Sequence, residues 1–543
     1  MSFSLMNPIV AVWRVCYIFV QHLIILLYKP PPPTHPEEPR NPYGRVAVIG
    51  AGLTGVSSAA HCIAHNFEVV LFEAGPREEL GGIWARVNKT SGLQINSHLY
   101  RFHPGVLWRN AFPQRDEIVG EITRVWKEYQ LEPRTRFDTP VTSVRRVESV
   151  SGTSHWLVND GKEGPFDAII CNVGTCGKPK WLELEGMPNR DANSDGDVFT
   201  KTMIHSSELD SESVSEETIK GKKVVVIGSG ASGVEAVEAA LERGAGEVVM
   251  IARTDKWIIP RNIFFDTFLA CQPFGREMPL SFIWESFLKH WQYHGVEDLV
   301  PEDRGLFQDT PVVNSNFLPH VRSGACTYVR GDPIRLTSSG VRVNVRERGT
   351  KPESPGEEET IEADVVVFAT GYEKPSIGFL EEDKLFPEGY ERPDLYLQNF
   401  STEDWSVLLT NSAYMSAIGT VGHFHIGIYT RILLTLLLDP DARPSSKDMK
   451  LWVDVVRFIK RGAKGGALGF FTYAELTIWL VTFHLLRPDR LKWLFFIMCG
   501  WGVHAPAPKT TGKSKNKKVG RYLKNKDKVD AAPVEGVKKE EVR

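Results

Sequence analysis

Two stretches of the chain repeat one spacing of glycines: Gly50-Ala51-Gly52-Leu53-Thr54-Gly55 and Gly228-Ser229-Gly230-Ala231-Ser232-Gly233. In such a turn the first glycine permits a tight bend. The second lets the backbone approach a pyrophosphate, and the third lets helix and strand pack closely. Bare spacing is a weak signal, and the flanks strengthen it. Arg45 to Gly50 (RVAVIG) is an apolar run with the look of a buried parallel strand, and a helix-like stretch from Val56 to His65 follows the turn. The next apolar run, Glu68 to Phe72, ends in Glu73. The second turn has the same frame: Val224 to Ile227, a helix-like stretch from Val234 to Arg243, and a run from Glu247 to Ile251. That run ends in Ala252-Arg253-Thr254. Each turn should place phosphates at a helix N-terminus, where backbone N–H groups lack partners.

The residue closing each unit distinguishes the two ligands. A carboxylate such as Glu73 hydrogen-bonds a ribose hydroxyl, whereas Arg253 pairs with a 2′-phosphate that an acid would repel. The first turn therefore reads as an FAD site and the second as an NADPH site, with Lys256 adding charge. The plainer reading of Arg253 is a surface arginine capping a strand. Gly81-Gly82-Ile83-Trp84 adds two glycines suited to close backbone approach, or to a plain turn. A flavin beside a nicotinamide means electrons pass from NADPH to FAD. Flavin disulfide reductases also combine two such folds and carry a CxxxxC pair. Cys171 and Cys176 have that spacing. They follow a strand far beyond the first turn, where a loop beside the cofactor is expected instead of a redox pair.

The elements around these motifs fit a globular α/β protein. The chain has 543 residues, 42% of them hydrophobic, with a net charge of −3. It is long enough for several domains, and its charge gives no global attraction to nucleic acid. Seven scattered cysteines suggest a reducing compartment. Pro8 to Tyr28 is mostly apolar and, as a helix, about 30 Å long, the thickness of a bilayer core. Arg14 lies near one end, where it can snorkel. The run has no basic leader and no small-x-small site, so an uncleaved anchor is favoured over a signal peptide. Lys29 and Arg40 follow it and favour a cytoplasmic body. Residues 29–42 form a proline-rich spacer. A second apolar stretch, residues 467–501, reads as a hairpin that packs on the core or dips into a membrane. Beyond Pro508 runs a basic tail from Lys509 to Lys528, suited to anionic headgroups or simply solvated.

The chain resembles the flavin-containing monooxygenase family. The two glycine turns, Gly82-Ile83-Trp84 and Phe368-Ala369-Thr370-Gly371-Tyr372 occur in that family's order and approximate spacing over residues 44–435. The family fingerprint, FxGxxxHxxxF, appears in degenerate form. Phe199 and His205 agree, while Lys201 stands at its glycine and Leu209 at its last aromatic. The resemblance implies a catalytic asparagine near the flavin ring, which Ile95-Asn96-Ser97 supplies; a turn residue is the alternative reading. An amide suits a neutral or anionic flavin peroxide. Baeyer–Villiger relatives tend to carry an acid there. Thr139-Pro140-Val141 resembles the strand contacting the FAD adenine, and Val312-Val313-Asn314 resembles a segment where the nucleotide domain returns to the flavin domain. His423 and His425 lack the partners of a metal site.

The expected architecture is two Rossmann-like domains, the NADPH domain inserted into a discontinuous FAD domain, with an N-terminal hydrophobic helix. The expected boundaries are 1–30 for the anchor, 31–43 for the linker, 44–211 and 336–440 for the FAD domain and 212–335 for the NADPH domain. Residues 441–504 form a helical region and 505–543 a basic tail. Asn96 is the candidate catalytic residue. Gly50, Gly52, Leu53, Thr54, Gly55, Glu73, Gly82, Ile83, Trp84 and Val141 are cofactor candidates, as are Gly228, Ser229, Gly230, Ala231, Ser232, Gly233, Arg253 and Thr254. Thr370 and Gly371 complete that set, and no metal is expected. The implied activity is oxygenation of a small, apolar substrate at nitrogen or sulfur, or hydroxylation, through a flavin hydroperoxide. The alternatives are ketone-to-ester oxidation and an NADPH oxidase or electron-transfer flavoprotein. Oxygen, the substrate and membrane lipid are the expected partners. The expected location is the endoplasmic reticulum membrane with the body in the cytosol.

Overall fold

The computed structural model describes residues 8–34, 39–98, 100–148, 154–188, 197–211, 213–263, 281–306, 311–380, 384–410, 424–460 and 471–504. His423 and the basic tail lie outside them. The strands begin with β1 (Arg45–Ile49), β2 (Glu68–Phe72), β3 (Thr135–Arg136), β4 (Val144–Glu148), β5 (Ser154–Val158) and β6 (Ala168–Cys171). Next come β7 (Thr202–His205), β8 (Lys223–Ile227), β9 (Glu247–Ala252), β10 (Ile258–Ile259) and β11 (Val312–Val313). The last are β12 (Cys326–Leu336), β13 (Gly340–Val345), β14 (Glu357–Glu362), β15 (Val365–Phe368) and β16 (Val407–Leu408).

Five strands form a parallel sheet in the order β16-β6-β1-β2-β3. Seven form a second sheet, β14-β13-β12-β9-β8-β15-β7, parallel except for its outer β12-β13-β14 meander. The parallel strands β1 and β8 bury four of their five residues, the pattern of strands covered on both faces. This is an α/β fold of two Rossmann-like sheets. Its strands divide elsewhere than at the expected 211/212 and 335/336 boundaries: β7 already joins the second sheet, β13, β14 and β15 extend it, and the chain regains the first only at β16. The alternating β13 and polar β14 carry no local sign of which sheet they join, because that choice is a long-range register.

The chain crosses between sheets twice, after β6 and after β15, and the two crossings are bonded to each other. Gly177 N donates to Glu373 O at 2.8 Å, and Lys180 N donates to Gly371 O at 2.9 Å.

Seven helices concern the site: α1 (Pro8–Tyr28), α2 (Leu53–Ala64), α3 (Arg115–Glu128), α4 (Ala231–Glu242), α5 (Phe424–Leu438), α6 (Phe471–Leu485) and α7 (Leu494–Cys499). The α1 run forms the expected helix, but the anchor reading is corrected. Among the described residues no helix is long and apolar enough to cross a membrane. One face of α1 docks on the body, with Tyr17 and Gln21 buried against the chain around Trp108. Polar side chains engaged this way fix the helix to protein. The described part of the second apolar stretch, residues 471–501, packs inward as well. Leu476, Trp479, Phe483, Phe496 and Ile497 join the main core, and buried Glu475 accepts from Gln398 Nε2 (2.6 Å) and Trp452 Nε1 (3.0 Å).

A cluster of imidazoles lies behind α2. His61 on α2, His65 at its C-cap and His103 are buried, with His61 and His103 ring centroids 5.1 Å apart. His61 Nδ1 faces Arg431 Nη1 at 3.3 Å, and His103 Nδ1 accepts from Gly105 N at 3.1 Å. Both rings accept hydrogen bonds, so both are neutral. Burial holds all three pKa values well below the ordinary histidine range, to about 3 for His65, and the Arg431 and Arg124 guanidiniums add to the depression at His61 and His103 respectively. Below about pH 6.5 the unfolded chain binds protons that the folded chain refuses. Stability should therefore fall between about pH 6.5 and 5, above the carboxylate range. The urea midpoint measured across that window reads it, and a flat midpoint contradicts neutral buried imidazoles.

Candidate active site

Both glycine turns take the conformation their spacing demands. Gly50 has φ +97°, and a Cβ there would sit 2.5 Å from Asn172 O; Gly228 has φ +119° and the same 2.5 Å approach to Ala369 O. Only glycine adopts that backbone without strain. A Cβ on Gly55 would lie 1.8 Å from Gly50 O, and one on Gly233 1.9 Å from Gly228 O, so each helix starts directly on its turn. Gly52 and Gly230 are the N-caps of α2 and α4, and neither end has a side-chain cap. Leu53 and Thr54 open α2 and are buried, while Ala231 and Ser232 open α4 half-buried. Uncapped N–H groups above side-chain-free turns fit a pyrophosphate at each site.

The closing residues differ as expected. Glu73 Oε2 accepts from Ala51 N at 2.7 Å and Oε1 from Gly75 N at 2.9 Å, so the carboxylate braces the first turn. Thr139 N donates to Glu73 O at 2.8 Å, which brings the Thr139-Pro140-Val141 segment to the same end of the sheet. Arg253 follows β9, is 58% exposed, and pairs with Asp332 and Glu353. Ser229 Oγ donates to Thr254 O at 2.7 Å, tying the turn to that strand end.

Gly81 N donates to Ala51 O at 3.1 Å, and a Cβ on Gly82 would meet Gly52 Cα at 3.1 Å. The close approach of these glycines is thus to the first turn itself, with Ile83 and Trp84 in the short helix beyond. Asn96 is buried in the following loop, and its Oδ1 accepts from His98 N at 3.1 Å. The amide oxygen holds an Asx turn, so the turn reading of this residue describes its local geometry.

Fingerprint residues gather at the crossings. His205 Nε2 bonds to Gly371 O at 3.0 Å, and its ring packs against Tyr372 and Trp181. Lys201 pairs with Asp364 at the sheet end, a position half open to solvent, which explains why it can replace a glycine. Thr370 Oγ1 donates to Lys180 O, in the same crossing. Cys171 and Cys176 are both free thiols, and among the described residues no three or more His, Cys, Asp or Glu side chains gather as metal ligands would.

The sequence did not reveal the contacts joining the two sheets' loops. Asn88 Nδ2 donates to Ser206 O at 2.7 Å, and Ser91 Oγ donates to Glu235 Oε2 on α4 at 2.6 Å. No local pattern announces them, because each joins residues more than a hundred positions apart.

The profile of the flavin-binding monooxygenase-like family matches residues 43–403, across both turns and both crossings. The chain belongs to that family. Human flavin-containing monooxygenase 5 is 25% identical over 392 residues, 65% of this chain and 68% of that protein. The Baeyer-Villiger monooxygenase of Pseudomonas aeruginosa is 26% identical over 226 residues, 40% of this chain and 39% of its own length. The match thus spans less than two thirds of some curated relatives. The open crystal structure of cyclohexanone monooxygenase superposes with a TM-score of 0.58 at 16% identity, covering 79% of this chain and 94% of that one. That likeness establishes a shared fold.

Proposed function

We propose that this family member is an FAD- and NADPH-dependent monooxygenase that inserts one oxygen atom into a small apolar substrate, by N- or S-oxygenation or hydroxylation. The observation that carries the reading is the family match across two intact glycine turns that end in opposite charges, Glu73 and Arg253. Bound flavin supplies the two-electron relay and the site of oxygen activation. The α2 N-terminus and Glu73 bind and orient its adenosine diphosphate half. The α4 N-terminus and Arg253 do the same for NADPH, the arginine leaving its acidic partners for the 2′-phosphate. Per turnover, substrate, oxygen, NADPH and a proton give oxygenated product, NADP+ and water. Without substrate transfer the same electrons give hydrogen peroxide.

Asn96 is the residue assigned to the reacting centre. Its uncharged amide stabilises oxygen-derived charge by hydrogen bonding, without the acid expected of ketone oxidation. Asn96→Ala should keep its FAD and lose about tenfold or more in product per NADPH, the balance appearing as peroxide. Full coupling in that variant would remove Asn96 from the mechanism. The Baeyer–Villiger reading stays attached to the relatives' names. A thioether and ketone panel separates the two.

Membrane contact takes a different form from a spanning anchor. The outer face of α1 exposes Val15, Phe19 and Leu26 at 68%, 66% and 80%. Trp501, stacked on Phe495, donates its indole N–H to Leu27 O at 2.9 Å, so the band continues to α7. Such a band suits a lipid surface. The protein should float with phosphatidylcholine–phosphatidylserine vesicles, and Phe19→Ser with Leu26→Ser should abolish flotation. Equal flotation of both proteins would refute this contact.

A further inference from the structure

The loop that carries Asn96 is closed on itself and then clamped from outside by α1. Ser97 N donates to Ala111 O at 2.8 Å, and Ser97 Oγ donates to Asn110 O at 2.9 Å. Tyr17 is 6% exposed. Its hydroxyl lies within hydrogen-bond reach of both Asn110 O, at 3.0 Å, and Ser97 Oγ. Its ring meets His98 edge-on, with centroids 4.1 Å apart. His98 N is the donor that fixes Asn96 Oδ1. Tyr17 therefore touches both residues that follow Asn96, one of which holds the asparagine side chain.

Gln21 lies one turn further along the same helix face. Fully buried, it acts as a backbone-like bracket for Trp108: Nε2 donates to Trp108 O at 2.9 Å, and Oε1 accepts from Trp108 N at 2.8 Å. Oε1 also accepts from Arg101 Nη1 at 3.0 Å. On its other side the loop meets α2, where Ser57 Oγ donates to Phe102 O. The loop thus sits between α1 and the helix that starts on the first glycine turn. A buried amide with this many partners is costly to disturb.

We propose that Tyr17 and Gln21 are positioning residues for Asn96. The N-terminal helix sets the loop that presents the asparagine amide, and so sets how much of the oxygen consumed reaches substrate. This rests on the role given to Asn96 above. Small displacements of a group that must meet a reacting centre cost far more in rate than in binding.

The test compares full-length Tyr17→Phe, Gln21→Leu, Gln21→Glu and Asn96→Ala with the unaltered protein. Three quantities are read: FAD per chain, the anaerobic rate of flavin reduction by NADPH, and product per NADPH. The probe is whichever of methyl phenyl sulfide and phenylacetone the unaltered protein oxygenates. Tyr17→Phe and Gln21→Leu should keep FAD content and reduction rate, while product per NADPH falls about tenfold, replaced by peroxide. Gln21→Glu keeps acceptors for Trp108 N and Arg101 but loses the donor to Trp108 O, and its coupling should fall between that of Gln21→Leu and that of the unaltered protein. Full coupling in Tyr17→Phe and Gln21→Leu beside an uncoupled Asn96→Ala would overturn the positioning role alone. Loss of FAD in step with loss of coupling would also overturn it, because the helix would then serve only stability. A fully coupled Asn96→Ala would overturn the reading of Asn96, and the proposal with it.

Discussion

Gly50→Ala is expected to give a chain purified without flavin, whereas Gly228→Ala should stay yellow and resist reduction by NADPH. Both substitutions place a Cβ 2.5 Å from a backbone carbonyl, Asn172 O or Ala369 O, in a left-handed conformation. A carbonyl on a strand end cannot rotate away as a side chain can, so the turn must open. Overpacking of this kind costs about 1–3 kcal/mol, roughly 5- to 150-fold in affinity when it falls on the binding turn. The asymmetry is the informative part. Dithionite should still reduce the flavin of Gly228→Ala, since its first turn is intact. Visible absorbance per chain, followed by anaerobic titration with NADPH and then dithionite, measures both. Loss of flavin in both variants alike would mean that the two turns are not separate sites.

Arg253→Ser should raise KM for NADPH by about 10- to 150-fold, as expected for losing charge-assisted hydrogen bonds of about 1.5–3 kcal/mol. KM for NADH should barely move, because NADH has no 2′-phosphate for the arginine to meet. Asp332 and Glu353 hold the guanidinium in the free protein. Both groups of the Arg253–Glu353 pair are largely exposed, so the pair offers little resistance to exchange for a phosphate. Steady-state kinetics with the two nucleotides settles the matter, and equal effects on both would exclude Arg253 from the phosphate site.

Local constraints made the two turns readable from residue order. A glycine turn is decided within six residues, and the closing Glu73 or Arg253 by one strand more. The same locality explains what was hidden. The α1 run is mostly apolar, and an apolar run does not by itself distinguish lipid from protein as its surroundings. The clue lay in Tyr17 and Gln21, polar-tipped residues four apart on one face. The inclusion of β13, β14 and β15 in the second sheet depends on register with distant strands. The fingerprint histidine was recognised by resemblance, and its bond to Gly371 O shows its physical work: it clasps the crossing between sheets. Lys201 looked like a flaw because its partner, Asp364, comes from a distant strand end.

The account stands most directly on what happens when the NADPH-reduced protein meets air in the presence of an oxygenable thioether or ketone. It predicts near-ultraviolet absorbance that outlasts mixing before the oxidised flavin spectrum returns, with close to one oxygenated product per NADPH consumed. Immediate return of the oxidised spectrum, with one hydrogen peroxide per NADPH and no product from either substrate class, would contradict it.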